Sequence, residues 1–345
     1  MTNGKTKPIF YRLGLVLCLL IAFTANLALA DTTDSAAPAT IIIFEHNDVH
    51  FSPDNPTRFN TPAVMAEDNG RVITTAADHP HYPPPIRITA HLAIHPIPAD
   101  IQSVHDKWDR AGNIRLCRDG YPDLEVVKFV TAYGGFTEYD VDISHLAPLL
   151  KGSSRFKAFI DTWVTPAWQV DFSLTFTPDD ESPNPVWTEP VVFVESFDLE
   201  TAGDTGVIVS VDIPDSLDRV IMHYLVSGHC TDGRGADEFE PKDNVIYIDG
   251  RVVHRFRPWR DDCRRFRDIN PYCRRWSNGY WSSDFSRSGW CPGDIVAPVE
   301  LDFTDHLTPG PHTIRFVIEN IRPKDDNGHY GYWRLSSHLT GWKLP

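Results

Sequence analysis

A two-residue rhythm constrains this chain more than any other feature. From Trp168 to Phe176 the apolar residues Val170, Phe172, Leu174 and Phe176 fall on one face and polar residues fall between them. A helix repeats every 3.6 residues and cannot bury such a set on one side, whereas a half-buried strand does so directly. Ile86 to Ile94 alternates in the same way for most of its length. Strands are also expected at Asn113–Cys117, Leu124–Thr131, Glu138–Ile143 and Arg155–Trp163. In the second half they are expected at Val191–Phe197, Val207–Ile213, Arg219–Val226, Asn244–Ile248, Val252–Phe256, Val299–Phe303, His312–Glu319 and Tyr332–Leu339. Asp249-Gly250 separates two of these runs and signals a hairpin. Only Ile143–Leu150 hints at a helical turn, and no long amphipathic helix or short repeat is visible. The 28 prolines and 21 glycines supply turns. The expectation is an all-β protein of two antiparallel β-sandwiches packed side by side.

A length of 345 residues fits two domains. Residues 1–30 read as a signal peptide: Lys5, Lys7 and Arg12 precede the apolar Leu13–Phe23, and Ala28-Leu29-Ala30 offers a cleavage site. A secreted or periplasmic protein with no stable membrane anchor follows, in a compartment that permits disulfides. Residues 31–85 read as an N-terminal extension closed by a Pro-rich loop. Residues 86–180 form the first sandwich, 181–190 a linker rich in breakers, and 191–345 the second sandwich. A net charge of −15 argues against nucleic acid as a partner, and a monomer is expected. Cleavage leaves Cys117, Cys230, Cys263, Cys273 and Cys291, an odd number, with no Cys-x-x-Cys pair to suggest a metal ribbon or redox centre.

Four loops carry side chains suited to chemistry. Trp108-Asp109-Arg110 sets a carboxylate beside a cation and a large aromatic, a trio that suits a sugar. Asp161-Thr162-Trp163 repeats the acid near a Trp at a strand end. Ser227-Gly228-His229-Cys230 leads into Gly235-Ala236-Asp237-Glu238-Phe239. Arg287-Ser288-Gly289-Trp290-Cys291-Pro292-Gly293 gathers Arg, Trp and Gly around a cysteine. Each alone is more often structural: an edge ion pair, a turn cap, a solvated acidic turn, an anchored loop. Nine arginines between Arg251 and Arg275 are expected to pair with nearby acids. His46/His50 and His79/His81 have ligand spacing but no matching third ligand, so no metal or cofactor is expected. No Gly-x-Ser-x-Gly elbow or phosphate-binding Gly loop is present.

Taken together, in this order and spacing, the four loops resemble those of the peptide-N-glycosidase F family, bacterial amidases that strip N-glycans from glycoproteins. The resemblance covers about Ile86 to Trp342, and its specific parts are Trp108-Asp109-Arg110 and Gly289-Trp290-Cys291-Pro292-Gly293. It implies two jelly-roll sandwiches, a site in the cleft between them, an N-linked glycoprotein or glycopeptide as partner, and no metal or cofactor. It implies Asp109 as the principal catalytic acid and Glu238 as a second essential carboxylate, with Asp161 where a Glu is usual. It puts Arg110, Trp163, Arg287 and Trp290 near the bound chitobiose core, and Trp108, from the chemistry of its own loop, is a further candidate to hold the sugar. The family's prototype brackets the Glu238 position with a cysteine pair, where this chain has Ala236 and Glu240. The family-like order of Asn270-Pro271 and Gly279-Tyr280-Trp281 favours Cys263 as the disulfide partner of Cys291, with Cys273 the alternative. Two other functions share the scaffold: a noncatalytic glycan-binding protein, motivated by these departures, and a copper monooxygenase, for which the mature chain offers only Met65 and Met222 as methionine ligands.

Overall fold

The computed structural model describes residues 37–100, 102–179, 183–230 and 237–343. The first half runs through β1 (Ala39–Val49), β2 (Met65–Glu67), β3 (Val72–Asp78), β4 (Ile86–Pro96), β5 (Ala111–Cys117), β6 (Leu124–Val130), β7 (Thr137–Asp142), β8 (Ser153–Ile160) and β9 (Trp168–Pro178). The second comprises β10 (Trp187–Phe197), β11 (Val207–Ile213), β12 (Arg219–Cys230), β13 (Asn244–Ile248), β14 (Arg251–Phe256), β15 (Asp294–Ile295), β16 (Val299–Asp302), β17 (Gly310–Ile318) and β18 (Gly331–Trp342). Sheet orders are β1-β9-β4-β7 and β15-β6-β5-β8-β3-β2 in the first sandwich, and β10-β18-β12-β16 and β11-β17-β13-β14 in the second. Among the described residues no helix is long and apolar enough to cross a membrane.

The alternation seen in the sequence builds the first core. Trp168, Val170, Phe172, Leu174 and Phe176 of β9 and Ile88, Ala90, Leu92 and Ile94 of β4 face Ile114, Leu116, Phe129, Phe156 and Ile160 of the opposite sheet. Burial of such side chains stabilises by roughly 1.5–3 kcal/mol each. A second, separate core forms around Phe197, Met222, Tyr224, Ile246, Ile314, Phe316, Trp333 and Leu335. The expected hairpin at Asp249-Gly250 joins β13 to β14, and Asp249 and Gly250 both take positive φ.

Two expected boundaries shift. Residues 39–78 do not stand apart from the first sandwich: β1 pairs along β9 from Ala39↔Phe176 to Val49↔Trp168, and β3 pairs along β8. Single-sequence alternation is interrupted in β1 by register shifts between Ile42 and Asn47, which hid its length. The breaker stretch before the second half also gives way to strand, because β10 begins at Trp187. Pro190 lies within it, at a register shift on an edge strand, where a missing N–H is tolerated. The residues read as a signal peptide lie outside the described residues.

The sandwiches meet along β6 and β18. Both faces of β6 are buried, and its polar side presents Glu125 and Lys128 to the second half. On β18, Trp333, Leu335 and Leu339 enter the second core, whereas Arg334 and Ser336, on its other face, reach across. Ser336 Oγ donates to Glu125 Oε2 at 2.5 Å, Lys128 Nζ donates to the Arg334 carbonyl at 3.0 Å, and Arg334 Nη2 bonds Asp161 Oδ2 at 2.9 Å. The short β15, from the second half of the chain, adds to β6 at Asp294↔Val130.

Candidate functional site

Asp109 lies just before β5 in a loop fixed from beneath by Asp106. The Asp106 carboxylate is fully buried. It accepts from Arg110 Nε at 3.0 and 3.1 Å, from the Thr162 hydroxyl at 2.6 Å and from the Trp168 indole at 3.3 Å. Thr131, at the end of β6, clamps the same loop: its hydroxyl accepts from the Arg110 amide at 2.9 Å and donates to the Trp108 carbonyl at 3.2 Å. The Asp161 amide donates to the Ala111 carbonyl at 2.9 Å, which brings the second acidic loop alongside the first.

Glu238 arrives from the other sandwich. The preceding Asp237 takes a positive φ and is buried. Its carboxylate packs so closely on Gly331 that a Cβ there would lie 1.9 Å from Oδ2. Asp237 also accepts from the Arg322 amide at 3.3 Å and faces Lys242 Nζ at 3.5 Å, and the Ser288 amide donates to the Glu238 carbonyl at 2.9 Å. These contacts hold Asp237 and Glu238 in place. Gly235 and Ala236 lie outside the described residues.

One buried side chain joins the two acids. Arg287 is 1% exposed; its Nη2 lies 3.5 Å from Asp109 Oδ2 and its Nε 3.4 Å from Glu238 Oε1. The same guanidinium donates to the Tyr133 hydroxyl at 3.2 Å and to the carbonyls of Phe285 and Ser282 at 2.9 Å each. It lies over the Trp290 ring at 4.7 Å and the Phe239 ring at 5.1 Å. Burial pushes both acids upward: desolvation raises Asp109 against the opposing pull of Arg287 and Tyr133, and raises Glu238 to about 7, with Arg287 opposing and the Asp109 charge adding to the rise. The Cys230 thiol donates to Glu238 Oε2 at 3.2 Å. Asp109 Oδ2 is buried with no hydrogen-bond donor among the described residues. The site therefore holds two buried carboxylates, both raised by desolvation, on either side of one buried guanidinium.

Asp161 is engaged differently. Arg71 Nη1 lies 3.3 Å from Oδ1 and Arg334 Nη2 2.9 Å from Oδ2, so both oxygens are taken by cations from two separate elements. Arg71 also lies 4.7 Å over the Trp163 ring. Trp163 and Trp108 are each 57% exposed, presenting large faces to solvent. Trp290, expected beside a sugar, lies in the interior. It is 2% exposed, donates its indole N–H to the Gly228 carbonyl at 2.8 Å and stacks on His229, so it floors Arg287 and offers no face to a ligand. Arg287 likewise serves the carboxylates from a buried position. Arg110 has its Nε committed to Asp106. Cys263 and Cys291 form a disulfide that anchors the Arg287 loop, and Cys273 is not part of it.

Asp106, Tyr133, Arg71 and Arg334 are contributors that sequence reasoning missed. Asp106 sits three residues before Asp109, and Tyr133 precedes Gly134-Gly135, a turn signal at the end of a strand. The others had no local signal, because their partners are distant in sequence. Of Asp261, Asp262 and Asp268, the acids expected to pair with the 251–275 arginines, Asp262 does so, with Arg260 and Arg265, while Arg255 pairs with Glu319, Arg260 also with Asp294, and Arg267 with Asp284. The histidine pairs do not converge. His50 packs on Phe59, His79 lies against Phe156 and Phe176, and His46 bonds Asp171. Met222 lies in the second core and Met65 on β2.

Fold and site define a two-sandwich β protein with a paired-carboxylate centre contributed by both halves. A family model described as "Peptide-N-glycosidase F, C terminal" matches residues 199–340. Among solved structures, PNGF-II is similar at a TM-score of 0.78 and 25% identity, over 89% of this chain and 65% of the PNGF-II chain. PNGase F, a glycosylasparaginase from Flavobacterium meningosepticum, is similar at a TM-score of 0.67 and 16% identity, over 89% of this chain and 96% of its own. A crystal structure of a peptide-N(4)-(N-acetyl-β-D-glucosaminyl) asparagine amidase gives 0.65 and 16%, over 89% and 97%. No curated protein matches the sequence. The match to the C-terminal peptide-N-glycosidase F model and the shared two-sandwich fold support a protein of the peptide-N-glycosidase F type.

Proposed function

We propose that this chain is an exported amidase that hydrolyses the bond between an Asn side chain and N-acetylglucosamine in glycoproteins or glycopeptides, releasing the glycan and leaving Asp. The observation that carries the reading is the sharing of buried Arg287 by Asp109 and Glu238, both held above the ordinary carboxylate range. Two desolvated carboxylates, both with a raised affinity for a proton, can serve as acid and base.

In the reaction, ionised Asp109 would take a proton from water through Oδ2 as the water oxygen attacks the amide carbon. Glu238, protonated near neutral pH, would polarise the carbonyl or return a proton to the departing nitrogen. The carbon–nitrogen bond then breaks, giving the Asp side chain and a glycosylamine. Arg287 keeps the pair from repelling one another apart, and Arg110, fixed by Asp106, would add positive charge for the developing oxyanion. Trp108 and Trp163 would hold the sugar by apolar contact. Asp161, with both oxygens already ion-paired, would position Trp163 and the adjoining loop through Arg71. The test is incubation with an N-glycopeptide and mass analysis of the peptide. Conversion of the glycosylated Asn to Asp by the native chain, and not by Asp109→Asn, supports the proposal. Tight binding of the glycopeptide with no release would favour the glycan-binding alternative.

A further inference from the structure

At the far end of the same interface three histidines meet. His145 comes from the 3-10 turn Ser144–Leu146 of the first sandwich, and His223 of β12 and His338 of β18 are cross-strand partners in the second. His338 lies roughly 20 Å along β18 from Tyr332, given the rise of a strand. The three ring planes lie within 13° of one another, with centroids 4.4, 4.6 and 5.1 Å apart. In a column, the outer two would be separated by the sum of the other spacings. All three spacings are short, so the rings form a triangle, and each offers a ligand nitrogen within 4.8 Å of the others.

The polar atoms of this triangle are poorly satisfied. His223 and His338 are 3% and 2% exposed, yet His223 Nδ1 and His338 Nε2 have no hydrogen-bond partner among the described residues. An unpaired buried nitrogen costs about 1–3 kcal/mol. His223 Nε2 is engaged by the Thr340 hydroxyl at 3.1 Å, the kind of contact that orients a metal-binding imidazole, and the Glu300 carboxylate lies 3.7 Å from His223 Nδ1. Burial depresses all three rings, His145 to about 4 and His223 to about 3, which leaves them in the neutral form that ligates. A zinc–nitrogen bond of about 2.0–2.1 Å requires each nitrogen to move inward by less than about 1 Å, within reach of side-chain rotation.

We propose that His145, His223 and His338, with Glu300 at the rim, bind one divalent transition ion of the zinc type that clips the two sandwiches together. The site is independent of the proposed amidase chemistry, because its ligands touch none of the groups around Arg287. A second cluster, His46, His95 and Asp171, serves as the control. There both rings already bond one carboxylate oxygen, at 2.9 and 2.8 Å.

The experiment uses the full exported chain, stripped with chelator, reloaded with Zn²⁺ or Co²⁺ and passed through metal-free buffer. About one ion per chain is expected to remain. With Co²⁺ the native chain is expected to show the visible absorption of a four-coordinate nitrogen-rich site. His338→Phe is expected to lose the ion and the band, and His46→Ala to keep both. Absence of the Co²⁺ band and of retained metal in the native chain overturns the proposal whether or not the variant folds. So does retention by His338→Phe, or loss in His46→Ala.

Discussion

Arg287 and Asp106 show how much of the site rests on single buried charges. Arg287→Leu removes the cation between Asp109 and Glu238 and leaves two buried acids facing each other. The expected loss of stability is about 3–5 kcal/mol, read by urea denaturation, with activity abolished. Asp106→Asn removes the charge that fixes Arg110 and the Trp108 loop, with an expected loss of about 2–4 kcal/mol by the same measurement. Glu238 makes a pH prediction. Its folded value of about 7 lies above the ordinary 4.5, so the folded state holds its proton more tightly than the unfolded chain. The stability this contributes is present below pH 4.5 and is lost as pH rises through about 7. Glu238→Gln stays neutral and escapes that loss, so its melting temperature relative to the native chain is expected to climb between those values, by an amount worth roughly 1–3 kcal/mol. A difference that does not vary with pH would remove the physical basis for a protonated Glu238. Asp109 and Glu238 stood out in the sequence because their neighbours form a recognisable set, and both lie beside Arg287. Sequence reveals residue type but not exposure, so the exposed rings at 108 and 163 and the buried one at 290 look alike on paper.

At the scale of elements, β18 is the organising strand. One face fills the second core with Trp333, Leu335 and Leu339, and the other sends Arg334 to Asp161 and Ser336 to Glu125. The apolar half of that pattern was visible as an ordinary alternating strand. The polar half reads in sequence as a solvent face, and becomes an interface only because β6 of the first sandwich is buried on both sides. Arg334→Met is therefore expected to leave Asp161 Oδ2 unpaired, lower stability by about 2–4 kcal/mol and loosen the Trp163 loop. Trp163→Ala, by contrast, removes an exposed ring. It is expected to change stability by less than about 1 kcal/mol while raising KM for glycopeptide about tenfold, which steady-state kinetics separates from a fall in kcat. β1 and the start of β10 escaped sequence reading for a common reason. Bulges and an edge proline break local periodicity, and pairing with a distant strand restores what the local pattern lacks.

Across the molecule, two independent cores are joined by an interface that is polar in its middle. The catalytic proposal depends on that interface, since Asp109 and Asp161 belong to one sandwich and Glu238 and Arg287 to the other. The Cys263–Cys291 disulfide closes a loop over a sequence separation of 28, and breaking it by Cys263→Ser is expected to cost about 3–4 kcal/mol and to free the Arg287 loop. The two-sandwich architecture was readable because strand periodicity and turns are local properties. The way the halves face each other was not, because it rests on contacts such as Arg334 with Asp161, 173 residues apart. The most direct test of the account is hydrolysis of an N-glycopeptide in ¹⁸O-labelled water. Attack at the side-chain amide carbon predicts a single ¹⁸O in the new Asp side chain and a glycosylamine as the first carbohydrate product, with neither formed by Asp109→Asn. A peptide that keeps N-acetylglucosamine on its Asn, or an Asp without label, would contradict the proposed chemistry.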